Sequence, residues 1–97
     1  MPNGWPVLPI HIRPDGSVDN EAVNVSKSRH EEVVWSSEDG AFEIQFPNTP
    51  FEYKIFQVPA HGAIRSGPVR GESGTYPYTI SSADMSMSAD PLINIVP

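Results

Sequence analysis

A chain of 97 residues with twelve acidic and six basic side chains has a net charge of -6, and it contains no cysteine. The scattered basic residues give no positive surface for phosphates, so we expect neither nucleic-acid binding nor attachment to an anionic membrane. The lack of cysteine excludes disulfides, thiolate metal sites and cysteine nucleophiles.

The first half of the chain reads as four short strands. Residues 5–13 predict a first strand that is an edge strand or an irregular one, because Pro6 and Pro9 remove two backbone donors. A turn is predicted at Pro14-Asp15-Gly16. The proline fixes φ, the aspartate can hydrogen-bond to the local backbone, and the glycine accepts a positive φ. The next strands are predicted at residues 22–26, 31–35 and 42–46, the last of which alternates strictly between apolar and polar residues.

The second half is more irregular. Residues 51–58 fit either a strand or an extended loop, and residues 59–74 predict a long loop broken by a short strand. Residues 76–80 alternate again, residues 81–89 form a polar loop, and residues 92–96 predict a last strand. Eleven prolines and seven glycines interrupt the chain, and no stretch shows the apolar spacing of an amphipathic helix.

The fold class that follows is all-β. Seven or eight short strands at spacings of roughly 8 to 12 residues predict a two-sheet Greek-key β-sandwich, formed by a single domain over residues 1–97. An immunoglobulin-like sandwich has the same strand count, and the patterning alone does not separate the two topologies.

Two segments carry a family resemblance. The first runs from Val33 to Phe46, where an aromatic strand residue precedes a polar turn and an alternating strand. The second runs from Gly74 to Ser88, beginning Gly-Thr-Tyr and ending in a loop with two methionines before the last strand. Together they resemble the cupredoxins, the blue-copper electron carriers such as plastocyanin and azurin. The resemblance implies the cupredoxin form of the β-sandwich.

The same resemblance places apolar or weakly binding residues at the copper ligands. Phe42 stands at the first His, Ile80 at the Cys, Ala83 at the second His and Ser88 at the axial position. A blue-copper site needs two imidazoles and a thiolate, so we predict no metal site and no cofactor. We expect Phe42 and Ile80 to pack with their neighbours and extend the core into the former metal end, each burial contributing roughly 1.5–3 kcal/mol.

No other pattern predicts an enzyme. The three histidines, His11, His30 and His61, lie in different sequence contexts, and Glu31 and Glu32 face opposite ways if they lie on a strand. The serines of residues 81–88 lack a nucleophile-elbow motif.

Three functional hypotheses remain. The first is a non-catalytic module that binds a protein or a small ligand through the loops 60–73 and 81–89, with Trp5, His61, Met85 and Met87 as the candidate interaction surface. The second is an assembly subunit that associates through edge strands. The third is weak copper(I) handling by His61 with Met85 or Met87, since thioether sulfur suits copper(I).

Location and oligomeric state follow only in outline. Residues 1–5 lack a basic region followed by an apolar run, so no signal peptide is predicted there, and no apolar stretch reaches the 18 residues of a membrane span. We expect a cytoplasmic protein if this is the full chain, and otherwise a secreted or periplasmic protein whose leader has been removed. The expected state is a monomer or a small homo-oligomer.

Overall fold

The computed structural model describes residues 6–82 and 91–97, and within these ranges it contains nine β-strands and no helix, hence none that is long and apolar enough to cross a membrane. The strands are β1 (Val7–Ile12), β2 (Ala22–Ser26), β3 (Glu32–Ser37), β4 (Phe42–Gln45), β5 (Ile55–Val58), β6 (Ala63–Arg65), β7 (Gly74–Pro77), β8 (Thr79–Ser81) and β9 (Leu92–Val96). The all-β prediction is confirmed.

The strands form three three-stranded sheets in the orders β1-β3-β6, β2-β9-β7 and β5-β4-β8. Strand β1 runs parallel to β3, and β2 runs parallel to β9. Except for β4 and β5, which pair with each other, consecutive strands therefore cross between sheets, as in a Greek-key sandwich. Strand β1 lies at the edge of its sheet, as its prolines predict, because Pro9 cannot donate a backbone hydrogen bond.

The segment 74–81 belongs to two sheets, where the sequence predicted one strand over residues 76–80. Strand β7 pairs antiparallel with β9, whereas β8 pairs antiparallel with β4. The change occurs at Tyr78, whose backbone N–H donates to the carbonyl of Pro91 at 3.0 Å. Pro77 has no N–H to continue a ladder, which explains the interruption. This split raises the strand count above the seven or eight expected.

Residues 51–58 form a turn followed by a shorter strand. The hydroxyl of Thr49 donates to the carbonyl of Tyr53 at 2.8 Å and accepts from the N–H of Phe51 at 3.1 Å. These side-chain bonds replace ladder bonds, so β5 begins only at Ile55.

A single apolar core joins the three sheets. Trp35 of β3 is fully buried, and its ring centroid lies 5.1 Å from that of Phe56 on β5 and 5.7 Å from that of Tyr78. The indole N–H of Trp35 donates to the Tyr78 hydroxyl at 3.3 Å. Such aromatic contacts contribute beyond their buried area, and they hold β1-β3-β6 against β5-β4-β8.

Candidate functional site

Strands β4, β5 and β8 meet at one end of the sandwich. In the antiparallel registers, Phe42 lies opposite Val58 and Glu43 lies opposite Ser81. The start of β4 is therefore beside the ends of β5 and β8. We call this end, formed by residues 41–43, 57–58 and 80–82, the pole.

Two buried apolar side chains close the inner part of the pole. Phe42 is 6% exposed, Ile80 is 0% exposed, and both belong to the same hydrophobic core. Ile80 lies opposite Ile44, so Phe42, Ile44 and Ile80 share the inward face of the sheet. The prediction that Phe42 and Ile80 are core residues is confirmed.

An open cleft of about 370 Å³ lies on the outer side of the pole. Its lining consists of Ala41, Phe42, Glu43, Gln57, Ser81 and Ser82. The lining is of mixed polarity, and Phe42 contributes little to it because most of its ring is buried. Clefts of this size hold small ligands or side chains of a partner.

The charged group of the cleft is Glu43, which two amides hold in place. The side-chain amides of Gln45 and Gln57 both donate to its carboxylate, Gln57 at 2.8 Å. These donors, Gln45 first and Gln57 second, lower the pKa of Glu43 below its usual value, since they stabilise the charged form. Glu43 is thus an anchored anion on the outward face of β4.

The histidines do not converge. His11 contacts the Ser36 hydroxyl through Nδ1 at 3.2 Å and Glu38 through Nε2 at 3.1 Å, whereas Nε2 of His61 lies 3.9 Å from Asp39. His30 lies in the turn before β3. Across residues 6–82 and 91–97, no three His, Asp or Glu side chains are grouped to hold a metal ion.

Of the four predicted interaction residues, the structure describes only His61. His61 lies near the pole, in the turn that follows β5 and beside Asp39. Trp5 is outside the described residues, and its neighbour Pro6 accepts a bond from Glu32 at the opposite end of β3. The other predicted positions, Ala83, Met85, Met87 and Ser88, also lie outside the described residues.

The outward face of β4 was not predicted as a candidate site from the sequence. Strict alternation over residues 42–46 placed Glu43 and Gln45 on that face, and Gln57 alternates in the same way on β5. The alternation therefore indicated which side chains face outwards. Which glutamine bonds to which carboxylate depends on the register between strands, and a single sequence does not specify that register.

Comparison with solved structures identifies the fold. A purple cupredoxin from Nitrosopumilus maritimus matches with a TM-score of 0.65 and 14% identity, covering 91% of this chain and 98% of that one. Two variants of amicyanin with copper(I) match with TM-scores of 0.61 and 0.63 at 14% and 15% identity, each covering 99% of this chain and 86% of theirs. No protein-family model and no curated protein sequence matches. The chain has a cupredoxin-like fold.

The residues at the pole do not fit the copper of that fold. Phe42 and Ile80 have no lone pair to offer a metal, and the sequence contains no thiolate. Among the described residues, every buried side-chain nitrogen or oxygen already has a hydrogen-bond partner, so none is left unpaired as a candidate metal ligand. The inner part of the pole is an apolar core.

Proposed function

We propose that the protein is a non-catalytic, metal-free cupredoxin-like binding module that uses its pole to bind a protein partner or a small ligand. The observation that carries this proposal is the burial of Phe42 and Ile80 at the positions where the resemblance places two copper ligands. A fold that does not load a metal there keeps the rigid scaffold and its loops, which are the parts that binding modules use.

The bonding of the acidic residues supports a role without catalysis. Glu31 accepts from the backbone N–H of Ser26 at 2.7 Å, and Glu32 accepts from Arg65 Nε at 2.9 Å. Both carboxylates are largely buried in these structural bonds. Although both carboxylates line an open cleft, each accepts a structural hydrogen bond, Glu31 from β2 and Glu32 from β6, and neither is free to act on a substrate as a general acid or base.

A copper titration tests the metal-free part of the proposal. We expect no visible charge-transfer band and no heat when copper(II) or copper(I) is added to the native chain. The matched positive control is the triple variant Phe42→His, Ile80→Cys and Ala83→His, which restores the three strong ligands of the resemblance and is expected to gain a copper–thiolate band. Circular dichroism verifies that the variant is folded.

The same titration decides the third hypothesis. Binding of copper(I) that disappears in His61→Ala and in Met85→Ala would contradict the metal-free proposal and support copper(I) handling through a soft thioether ligand.

A site-specific crosslink tests the binding surface. A photoreactive phenylalanine replaces Ala41, an exposed residue of the pole, and in the control it replaces Ala22, an exposed residue of β2 in the sheet β2-β9-β7. In an extract of the source organism we expect position 41 to form an adduct, with a protein or with a smaller ligand, and position 22 to form none. Equal adducts from both positions would contradict binding at the pole.

Association through edge strands has less support in the geometry. Strand β1 carries Pro9 at its edge, and Lys54 immediately precedes the outer strand β5; prolines and charges at such places oppose pairing with another chain. We therefore propose a monomer, and light scattering that gives a dimer mass at micromolar concentration would favour the assembly hypothesis instead.

A further inference from the structure

We infer that the outward face of sheet β5-β4-β8 binds a neutral carbohydrate chain. This inference rests on the proposed function, because it names the ligand class of a binding module, and it extends the site from the pole along β4.

The face consists of two rows of side chains, defined by strand register. In the first row Gln57 and Ser81 lie on either side of Glu43, and in the second row Ile55 and Thr79 lie on either side of Gln45. Side chains that are directly opposite across strands lie within about 5.5 Å of each other, and the two rows are about 6.5 Å apart along the strand. We call these six residues the outer rows.

The polar groups of the outer rows are held before any ligand arrives. Glu43 accepts from both Gln45 and Gln57, which fixes the two amides in place. Each amide keeps its carbonyl oxygen and a second N–H for a ligand, and Thr79 and Ser81 add two hydroxyls to the same rows. A ligand that binds to fixed donors and acceptors loses less side-chain entropy from the protein.

Each row borders a cleft. The first row lines the cleft at the pole, of about 370 Å³, and the second row lines a cleft of about 410 Å³ that also includes Phe46 and Pro47. The two clefts therefore follow one another along β4 and its neighbours. An extended ligand that lies along the outer rows enters both.

The second row includes an exposed apolar side chain, Ile55, which lines the second cleft together with Lys54. Ile55 is 53% exposed and Tyr53, two residues earlier, is 61% exposed; of the described residues, these are the two most exposed large hydrophobic side chains. A pyranose ring has an apolar C–H face and a rim of hydroxyls. An apolar platform beside fixed amides and hydroxyls matches both parts of such a ring.

The charges argue against other occupants. A polyanion would meet the Glu43 carboxylate on a chain of net charge -6, and Lys54 is the one cation among the described residues that line the two clefts. A second copy seated on this face about a two-fold axis would bring Glu43 towards its own symmetry mate, which like-charge repulsion opposes. Protein interfaces concentrate their binding energy in aromatic and arginine anchors near the centre, whereas the centre of this face is Glu43 and Gln45.

Affinity electrophoresis tests the inference. The folded chain is run in native gels that contain hydroxyethyl cellulose, galactomannan, xylan or dextran, and in a gel with the acidic polysaccharide alginate. We expect retardation by at least one neutral polymer and none by alginate. Gln45→Ala and Gln57→Ala should each weaken the retardation by about five- to tenfold, the loss of one or two hydrogen bonds.

The matched control is Asn94→Ala, on the outward face of β9. Asn94 accepts from Thr75 at 2.8 Å and donates to Asn24 at 3.1 Å, so it forms a similar interlocked polar row on another sheet. We expect this variant to keep full retardation. Migration unaffected by all four neutral polymers, retardation by alginate, or equal weakening in Asn94→Ala would each overturn the carbohydrate inference. Copper uptake by the native chain would instead overturn the proposed function, so the two failures are distinguishable.

Discussion

The two faces of strand β4 have opposite chemistry. The inward face carries Phe42 and Ile44, which are buried in the core, whereas the outward face carries Glu43 and Gln45, which bond to each other and to β5. In a cupredoxin the inner side at this end would hold the metal. Here buried apolar side chains fill the inner side, and the polar groups that we propose bind a ligand lie on the outer side.

The largest expected effect is a difference in unfolding free energy between a variant of the inward face and a variant of the outward face. Ile44→Ala removes a fully buried side chain and leaves a cavity, so we expect the free energy of unfolding to fall by about 2–5 kcal/mol. Gln45→Ala, one residue along on the outer face, should change it by about 0.5 kcal/mol or less. Urea denaturation measures both. Equal losses would show that the outer row is also a structural element.

A smaller effect concerns the inner hydrogen bond between Trp35 and Tyr78. Tyr78→Phe keeps the ring but leaves the indole N–H of Trp35 buried without its acceptor, which should cost about 1–3 kcal/mol. The control is Tyr53→Phe, whose ring is exposed and whose loss of a hydroxyl should be close to neutral. A variant Tyr78→Phe as stable as the native chain would contradict the role given to this bond.

Ionisation of the same tyrosine should lower the stability of the fold at alkaline pH. Burial raises the pKa of Tyr78 to about 12, with the charge of Asp19 adding to the rise and the Trp35 bond opposing it. The unfolded value is about 10, so the stability that depends on neutral Tyr78 is complete below about pH 10 and is lost as the pH rises through about 12. Denaturation across this range should show a steeper loss for the native chain than for Tyr78→Phe. Parallel curves would contradict the shift.

The smallest effect is on the outer face and is best seen by NMR. Removing one donor in Gln57→Ala should move the pKa of Glu43 upwards, towards its usual value, because one of the two amides that stabilise the carboxylate is gone. Because the pKa of Glu43 is lower in the folded than in the unfolded state, its charge stabilises the fold at pH values above the unfolded-state pKa. This contribution is lost as the pH falls through the folded-state pKa. An unchanged titration of Glu43 would show that Gln57 does not hold the carboxylate in solution.

The sequence predicted the elements better than their pairing. Residues 22–26 and 92–96 form the strands expected of them, because alternating β-branched residues between turn signals define a strand locally. The division of residues 76–80 between two sheets was not predicted, because it depends on which strands lie beside Pro77.

The candidate site divides in the same way. The apolar character of the pole follows from residue identity alone, and Phe42 and Ile80 are buried as expected. The outer rows required the register of β4 with β5 and β8, a long-range property that a single sequence does not specify. Residue types could therefore exclude the blue-copper ligand set, but they could not define which side chains form one ligand-binding surface.

The segment 74–81 has a consequence for how the molecule opens. Because it pairs with β9 through β7 and with β4 through β8, neither group of strands can separate without disturbing the other. Amide hydrogens of β4 and β9 should therefore exchange with solvent together, in one cooperative unit. Any ligand that rests on the outer rows would slow exchange in β9 as well, although it touches no atom of that strand.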